Sequence, residues 1–409
     1  MDFRRGLWIV VAVIALRGIA TAQAPENAPP PVQIAPLISS LTQLPAPYDP
    51  LELVPDGARP VTSAEERAAT IELLATARRL SNVRLHAYDL KTSFTTYGSL
   101  SSDGRWTLED TSPSRDIYRW TAQGPWFSAV FLHNGTLLSS DQPSGTIPLR
   151  LMQVRDAIFG VYPGIGRYAS LRVATGNLDG GEVRCVLVAH GIPGNATPAF
   201  SSGRSFDELE YCIDSKTGLL ATYSPVPGLY VHYDYSNAFH FHDQMIPNGF
   251  TISENGRTVI EAKTDSVTDA PSANQDIFKA EGLNPLGAGP AAAGPVMIRS
   301  SHAYNLGSPD ARPQVVVVHG MISPSGRLGE TEVLASTNPA LNDAAVQRSS
   351  AAHFLQAGED AQPGTTPLSR EAFFTVEFVP IKPCQNLGPG GAPGMAGAAC
   401  GSPAQPPSN

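Results

Sequence analysis

Proline is concentrated in a few parts of this chain, and that placement limits where a folded core can form. Twenty of the 37 prolines lie in three stretches, residues 23–60, 284–296 and 380–409. Such stretches are typical of linkers and tails, because they lack the apolar periodicity that builds a packed core. We therefore expect two folded segments, 61–275 and 296–381, preceded by a disordered linker at 23–60, separated by a Gly/Pro/Ala linker at 276–295 and followed by a disordered tail at 382–409.

The first residues have the pattern of a secretory signal peptide. Arg4 and Arg5 precede an apolar run from Leu7 to Leu16, and small residues follow at Ala20-Thr21-Ala22. This order is typical of a cleaved export signal. The alternative is a retained anchor, but ten residues of helix extend roughly 15 Å, about half of the ~30 Å hydrocarbon core. We expect residues 1–22 to be removed, which leaves a periplasmic protein that does not span the membrane.

Charge and cysteine content narrow the function further. The formal charge is −9, and an acidic chain without a basic stripe is a poor nucleic-acid binder. The chain has four cysteines and no Cys-x-x-Cys, so in an exported protein we expect structural use. Cys185 and Cys212 fall on neighbouring predicted strands and form the expected disulfide, whereas the pairing of Cys384 with Cys400 in the tail is left open.

The segment 61–275 begins with a helix and continues as short strands. Ser63 and Glu66 form a capping box, and apolar residues recur at helical spacing as far as Leu80. Strand patterns then alternate with tight-turn dipeptides such as Asp103-Gly104 and Asn255-Gly256, which favour hairpins. Thr146 and Pro148 predict a second helix that interrupts the strands, with Thr146 as its cap. The expected fold class is α+β, with a curled antiparallel sheet.

This order of elements resembles the LolA/LppX lipoprotein-carrier superfamily, in which a half-open barrel holds a lipid chain against a helical lid. The resemblance is architectural, and no short motif carries it. It implies an apolar ligand in a cavity of the half-barrel. Candidate cavity residues are the aromatic side chains of the meander, Trp106, Tyr118, Trp120 and Trp126. The alternative is that these aromatics fill an ordinary core.

The segment 296–381 predicts a strand, a strand, a helix and a strand. Gln314–His319 is a β-branched run, and a second strand covers Gly329–Leu334. Asn338-Pro339 then begins a helix, with Asn as its cap and Pro at its first position. Phe374, Val376 and Phe378 alternate with polar residues in the last strand. We expect a small ββαβ module with the helix on one face of an antiparallel sheet.

Several stretches of this module resemble the TonB C-terminal domain family. They are Ile322-Ser323-Pro324-Ser325-Gly326-Arg327-Leu328, Glu332-Val333-Leu334-Ala335-Ser336, Leu341-Asn342-Asp343-Ala344-Ala345 and Thr375-Val376-Glu377-Phe378. Ala352 and Gln356 stand where the family usually has a Trp and a Pro, which weakens the case for its usual partner binding. The resemblance implies protein binding without chemistry or a cofactor, by pairing with an added peptide strand of an envelope protein.

The last strand is the candidate binding edge for that added strand. It comprises Ala372, Phe373, Phe374, Thr375, Val376, Glu377, Phe378 and Val379. The alternative is that another strand or the tail covers it, because proteins seldom leave strand edges free.

Enzyme signatures are incomplete in this sequence. Val315–Gly320 is similar to the oxyanion strand of α/β-hydrolases, but no Gly-x-Ser-x-Gly elbow accompanies it. His240 and His242 share one side of a predicted strand, and with His232 they are weak candidates for a zinc site; the alternative is that they are simply exposed. The leading hypothesis is therefore a non-enzymatic periplasmic adaptor, with a carrier of an apolar ligand as the alternative and a metal-dependent or hydrolytic enzyme as a third.

Overall fold

The computed structural model describes eleven parts of the chain, which contain all the elements discussed below. They are residues 58–98, 103–114, 116–135, 137–160, 165, 169–189, 204–271, 275–286, 295–308, 311–352 and 368–381. The predicted signal peptide, nearly all of the first proline-rich stretch, Cys384 and Cys400 lie outside them. No helix in these parts is long and apolar enough to cross a membrane.

Strands dominate the described residues, and three α-helices accompany them. The helices are α1 (Ala64–Ser81), α2 (Leu149–Phe159) and α3 (Asn342–Ala351). The strands, in chain order, are β1 (Arg59–Pro60), β2 (Tyr88–Thr96), β3 (Gly104–Ser114), β4 (Ile117–Gln123), β5 (Ser128–Asn134), β6 (Leu137–Ser140), β7 (Ser170–Leu178), β8 (Gly181–Ala189), β9 (Glu208–Asp214), β10 (Leu220–Ser224), β11 (Leu229–Asp234), β12 (Phe239–Phe241), β13 (Gln244–Ile246), β14 (Gly249–Glu254), β15 (Arg257–Asp269), β16 (Asn284–Leu286), β17 (Val296–Tyr304), β18 (Gln314–Ile322), β19 (Leu328–Ser336) and β20 (Arg370–Pro380).

Fourteen strands form one curled antiparallel sheet, as the sequence predicted. The order is β1-β7-β8-β9-β10-β11-β14-β15-β2-β3-β4-β5-β6-β16, so the described strands leave the sheet open at β1 and β16. At the predicted turn between β14 and β15, Asn255 and Gly256 have φ angles of +49° and +72°, as a tight hairpin requires. We call this sheet, together with α1 and α2, the half-barrel. β16 extends it beyond the predicted boundary at residue 275.

The two helices of the half-barrel pack against its sheet. Ser63 caps α1, and its Oγ accepts a hydrogen bond from the Glu66 backbone N–H at 3.0 Å. Leu74 and Ala77 of α1 and Val154 of α2 are buried in the main apolar core. The predicted start of α2 is corrected by one detail. Pro148, and not Thr146, is the capping residue, and its side chain makes no capping hydrogen bond, because proline has no side-chain oxygen that could accept one.

The C-terminal elements form a second, four-stranded sheet in the order β17-β20-β18-β19, with α3 packed on one face; we call this unit the second sheet. The predicted strand, strand, helix and strand are all present. β17 was not predicted, and it runs parallel to β20. The prediction that Ala372–Val379 is a free edge is wrong, because β20 pairs with β17 on one side and with β18 on the other.

Both faces of the second sheet are buried, and this explains the unbroken valine run in β18. Val316 and Val318 point towards α3 and pack with Leu341 and Ala345. Val315 and Val317 point the other way and belong to the same apolar core as the half-barrel. A strand that is buried on both faces loses its polar alternation. The second sheet therefore covers part of the half-barrel interior.

Candidate functional site

A large cavity remains in the part of the interior that the second sheet does not fill. Its volume is about 1520 Å³, above the roughly 300–1,000 Å³ of most small-molecule sites. It lies at the C-terminal ends of α1 and α2, against strands of the half-barrel and the beginning of β17. The apolar side chains that line it include Val83, Leu90, Tyr118, Phe159, Phe206, Leu209, Leu220, Tyr223, Tyr233, Phe250 and Ile298. Such a lining suits the apolar part of a ligand.

Two apolar side chains of the cavity wall are partly exposed to solvent. Leu85, which follows α1, is 50% exposed, and Met297 of β17 is 51% exposed. A large aliphatic side chain loses roughly 1.5–3 kcal/mol of burial free energy when it stays in water. The exposure of both residues marks a mouth through which an apolar molecule can enter.

The charged residues of the cavity wall are mostly basic. Five arginines and three aspartates line it among the described residues, although the whole chain has a formal charge of −9. Sequence composition gave no sign of this local excess, because the arginines come from separate parts of the chain. They are Arg78, Arg79, Arg84, Arg155 and Arg299.

Arg155 is balanced by a fully buried carboxylate. Its guanidinium donates to Asp110 Oδ2 at 2.6 Å, and the Tyr88 hydroxyl donates to Asp110 Oδ1 at 2.7 Å. Burial and the charge of Asp110 raise the pKa of Tyr88 well above its usual value, so the phenol stays a donor. The Arg155 guanidinium also lies 4.2 Å from the centroid of the Trp120 ring. These contacts fix Arg155 and neutralise it.

Arg84 occupies a neighbouring position but has a different environment. Its guanidinium carbon lies 4.2 Å from the Phe159 ring centroid and 5.2 Å from that of Tyr118. Its Nε is inaccessible to solvent and has no hydrogen-bond partner among the described residues. Stacking on aromatic faces holds the guanidinium plane but does not satisfy the buried Nε–H.

Of the four aromatics predicted to line a cavity, the structure places one there. Tyr118 lies in the cavity wall. Trp106 and Trp120 are buried in the core, where they stack on Phe94 and Phe131 with centroids 5.8 Å and 3.9 Å apart. Trp126 is 82% exposed, because it lies in the turn after β4. The prediction is wrong for these three tryptophans, since alternation alone does not tell which buried face is packed and which is open.

A buried ionic cluster joins the second sheet to the half-barrel beside the cavity. Glu254 Oε1 of β14 accepts from Arg150 and Gln153 of α2, both at 2.7 Å. His319 of β18 lies between two carboxylates: its Nδ1 is 2.9 Å from Glu254 Oε1, and its Nε2 is 2.7 Å from Glu371 Oε1. These side chains are at most 4% exposed. Removing one of these charged side chains would leave its partner as an unpaired buried charge. The cluster therefore holds the second sheet in its position against the half-barrel.

The protonation states in this cluster follow from its geometry. Burial alone would lower the pKa of His319, but Glu254 and Glu371 outweigh burial and raise the pKa to about 9. Burial would raise the pKa of Glu254, but Arg150 and His319 hold it well below its usual value. Burial and the nearby Glu254 charge raise the pKa of Glu332 to about 8. At neutral pH, His319 is therefore cationic, Glu254 is ionised and Glu332 is mostly neutral.

None of the three predicted histidine candidates lines the cavity, although His242 contacts His86, which does. His240 is exposed on β12, and His242 Nε2 lies 2.7 Å from Asp269 Oδ1 while its ring stacks on His86. His232 Nδ1 lies 3.0 Å from the Thr222 hydroxyl. In the described parts, one group of His, Cys and acidic side chains is close enough to share an ion, Cys185, Glu210 and Cys212. Its cysteines form the predicted disulfide, so neither is available as a thiolate ligand.

Comparisons with known proteins give only distant likenesses. No family model matches the chain, so the TonB resemblance has no support there, and no curated protein matches it. The fold is similar to a LolA superfamily protein from Nitrosomonas europaea, at 12% identity and a TM-score of 0.36, over 52% of this chain and 97% of that one. A DUF1329 family protein from Desulfovibrio piger gives 7% and 0.32, over 53% and 98%.

A third solved structure, MucB in complex with MucA(peri), gives 13% identity and a TM-score of 0.21, over 51% of this chain and 59% of that one. All three TM-scores are below 0.5, and each of the three alignments covers about half of this chain. Function is therefore inferred below from the cavity itself.

Proposed function

We propose that this protein binds an apolar molecule, or the apolar part of a larger one, in the half-barrel cavity and acts as its carrier in the periplasm. The export pattern of residues 1–22 supports the compartment. The observation that carries the binding function is the open cavity of about 1520 Å³ with apolar walls. A cavity of this size with an apolar lining is typical of a site that binds an apolar ligand.

The proposed carrier function differs from the adaptor function that the sequence favoured first. Strand addition at Ala372–Val379 is not proposed, because β17 and β18 already use both edges of β20. The second sheet instead contributes Val315, Val317 and Phe373 to the interior. The second sheet is therefore packed onto the half-barrel and does not present a free strand edge at β20.

Binding can be tested with residues 23–409 after removal of co-purifying lipid. The neutral fluorescent probe N-phenyl-1-naphthylamine should bind saturably, with enhanced emission. The blocking variant is Ala75→Trp, since Ala75 lies in the cavity wall but is solvent-exposed, so the larger side chain does not overpack the core. We expect this variant to weaken probe binding about tenfold or more, because the indole occupies the space that the probe needs.

Ala68→Trp is the matched control for that variant. Ala68 is also exposed on α1, two turns earlier, and it does not line the cavity. The affinity of the Ala68→Trp variant for the probe should stay within about twofold of that of the unchanged protein. Equal loss in both variants, or no saturable binding to the unchanged protein, would contradict the proposed function.

A further inference from the structure

We propose that the ligand has an anionic head group, a carboxylate or a phosphate, and that Arg84 binds it inside the cavity. This inference rests on the proposed function, because it identifies the polar end of the molecule whose apolar part fills the same cavity. It goes beyond that function by fixing where the ligand's charge lies and which residue recognises it.

The position of Arg84 is built by the turn that follows α1. Asn82 ends the helix, and its Oδ1 accepts a hydrogen bond from the Arg84 backbone N–H at 3.1 Å, within the short 3₁₀ turn Val83–Leu85. The side chain then lies in the cavity wall, over Phe159 and Tyr118. The guanidinium thus lies against two rings and its Nε is inaccessible to solvent, while the N–H groups of its two terminal nitrogens, which point outwards in the guanidinium plane, remain available to a ligand.

Comparison with Arg155 shows what is missing at Arg84. The Arg155 guanidinium lies 5.3 Å and 5.9 Å from the centroids of the same two rings, Phe159 and Tyr118. Arg155 has a buried carboxylate partner, Asp110, at 2.6 Å. In the parts of the chain that the structure describes, no carboxylate oxygen lies within 4.0 Å of the Arg84 guanidinium. A bound anion would give Arg84 the partner that Asp110 gives Arg155.

The surroundings strengthen the attraction for an anion. Arg78 and Arg79, in the last turn of α1, line the same cavity. Asp156 of α2 also lines the cavity and interacts electrostatically with Arg84 and Arg155; burial and the neighbouring Glu371 raise its pKa well above the usual value. Arg78 and Arg79 are solvent-exposed, so they add a weaker, salt-screened attraction around the cavity. Arginine also matches carboxylate and phosphate oxygens with two parallel hydrogen bonds.

The test uses three ligands with the same alkyl chain, namely laurate, dodecyl phosphate and dodecanol, each measured by displacement of N-phenyl-1-naphthylamine. The unchanged protein should bind at least one of the two anions about tenfold or more tightly than the alcohol, since hydrogen bonds to charged groups are the strong ones. The tighter of the two anions tells a carboxylate site from a phosphate site.

Arg84→Gln should remove that preference, so that anion binding falls about tenfold while dodecanol binding stays within about twofold. Arg84→Lys, which keeps the charge but loses the planar fork, should retain part of the preference. Arg257→Gln is the matched control, because Arg257 is exposed at the start of β15 and does not line the cavity. It should bind all three ligands as the unchanged protein does.

Two results would overturn the head-group site while leaving the apolar cavity in place. One is equal affinity of the unchanged protein for dodecanol and both anions. The other is an equal loss for all three ligands in Arg84→Gln, with Arg84→Lys no better. Absence of binding by all three ligands would overturn both the head-group site and the proposed function.

Discussion

Two parts of the half-barrel interior differ in what fills them. In the first, the packed part, Val315, Val317 and Phe373 of the second sheet complete an apolar core, and a buried ionic cluster closes it. In the second, the cavity, apolar walls face an open space, and Arg84 has no carboxylate partner among the described residues. Side chains of the second sheet thus fill one part of the half-barrel interior, whereas the other part stays open, and we propose that a ligand fills it. Where an open apolar wall and an arginine without a carboxylate partner lie together, as they do in the cavity, they indicate a binding site for a ligand with an apolar part and an anionic group.

The largest expected effect comes from breaking the ionic cluster of the packed part. Glu254→Ala would leave Arg150 and His319 buried without their shared carboxylate. Removing one partner of a buried charge pair costs about 3–5 kcal/mol, so we expect the free energy of unfolding to fall by that amount in urea titrations. Glu109→Ala is the control, because Glu109 is half-exposed and pairs with Lys91 at the surface. It should cost less than about 1 kcal/mol.

A loss below 1 kcal/mol for Glu254→Ala would show that the cluster does not hold the second sheet in place.

Alkaline pH should weaken the packed part. The pKa of His319 is raised from its usual value to about 9, so its contribution to stability is complete below about pH 6.5 and is lost as the pH rises through 9. Glu332, with a pKa of about 8, acts in the same direction between about pH 4.5 and 8. We expect His319 alone to account for a loss on the order of 3 kcal/mol between pH 6.5 and 9.5, measured by urea unfolding, and Glu332 to add to it.

His319→Gln is the variant that checks this assignment. It removes the titrating group, so it should be less stable at pH 6.5 and should lose less stability on going to pH 9.5. At acid pH the sign reverses for Glu254, whose lowered pKa makes its contribution complete above about 4.5 and lost below it. An unchanged pH profile in His319→Gln would contradict the assignment.

A smaller effect is expected where the half-barrel touches the second sheet most closely. Gly228 has a φ of +88°, and a Cβ there would lie 2.1 Å from the backbone oxygen of Leu334 in β19. Gly228→Ala should therefore cost about 1–3 kcal/mol by overpacking in addition to backbone strain. Gly98→Ala is the matched control, since Gly98 has a similar φ of +82° but open space around it. If thermal unfolding shows equal losses for both, the close contact does not contribute.

The smallest effect is expected at Trp126. Trp126→Ala should change the free energy of unfolding by less than about 0.5 kcal/mol and leave probe binding unchanged, because the side chain is 82% exposed and does not line the cavity. Trp120→Ala, which empties a buried position, should cost about 3–5 kcal/mol. Reduced probe binding in Trp126→Ala would show that the cavity reaches further than its described walls.

The sequence predicted the helices, strands and turns better than it predicted which strands pair with one another. The capping box at Ser63 and the Asn255-Gly256 turn are local signals, and both are present as expected. The free edge at Ala372–Val379 was wrong because pairing with β17 depends on residues some 75 positions away in sequence. A weak alternating pattern in Val296–Tyr304 was the available sign of that strand.

The site residues were the least predictable part. Arg84 and Phe159 lie at the ends of two different helices, and no spacing in the sequence relates them. Trp106 and Tyr118 have the same alternating pattern and belong to the same apolar core, yet only Tyr118 of the two also lines the cavity. Patterns of alternation identify the buried face of a strand, whereas the packing of distant segments decides which part of that face stays open.

The affinity of the purified protein for straight-chain alcohols of increasing length tests directly whether the cavity binds an apolar chain. If the cavity binds an apolar chain, each added methylene should tighten binding by roughly 0.8 kcal/mol, about fourfold, until the cavity is filled. The Ala75→Trp variant should reach its limit at a shorter chain. Affinity that does not depend on chain length, or no saturable binding at all, would contradict the account.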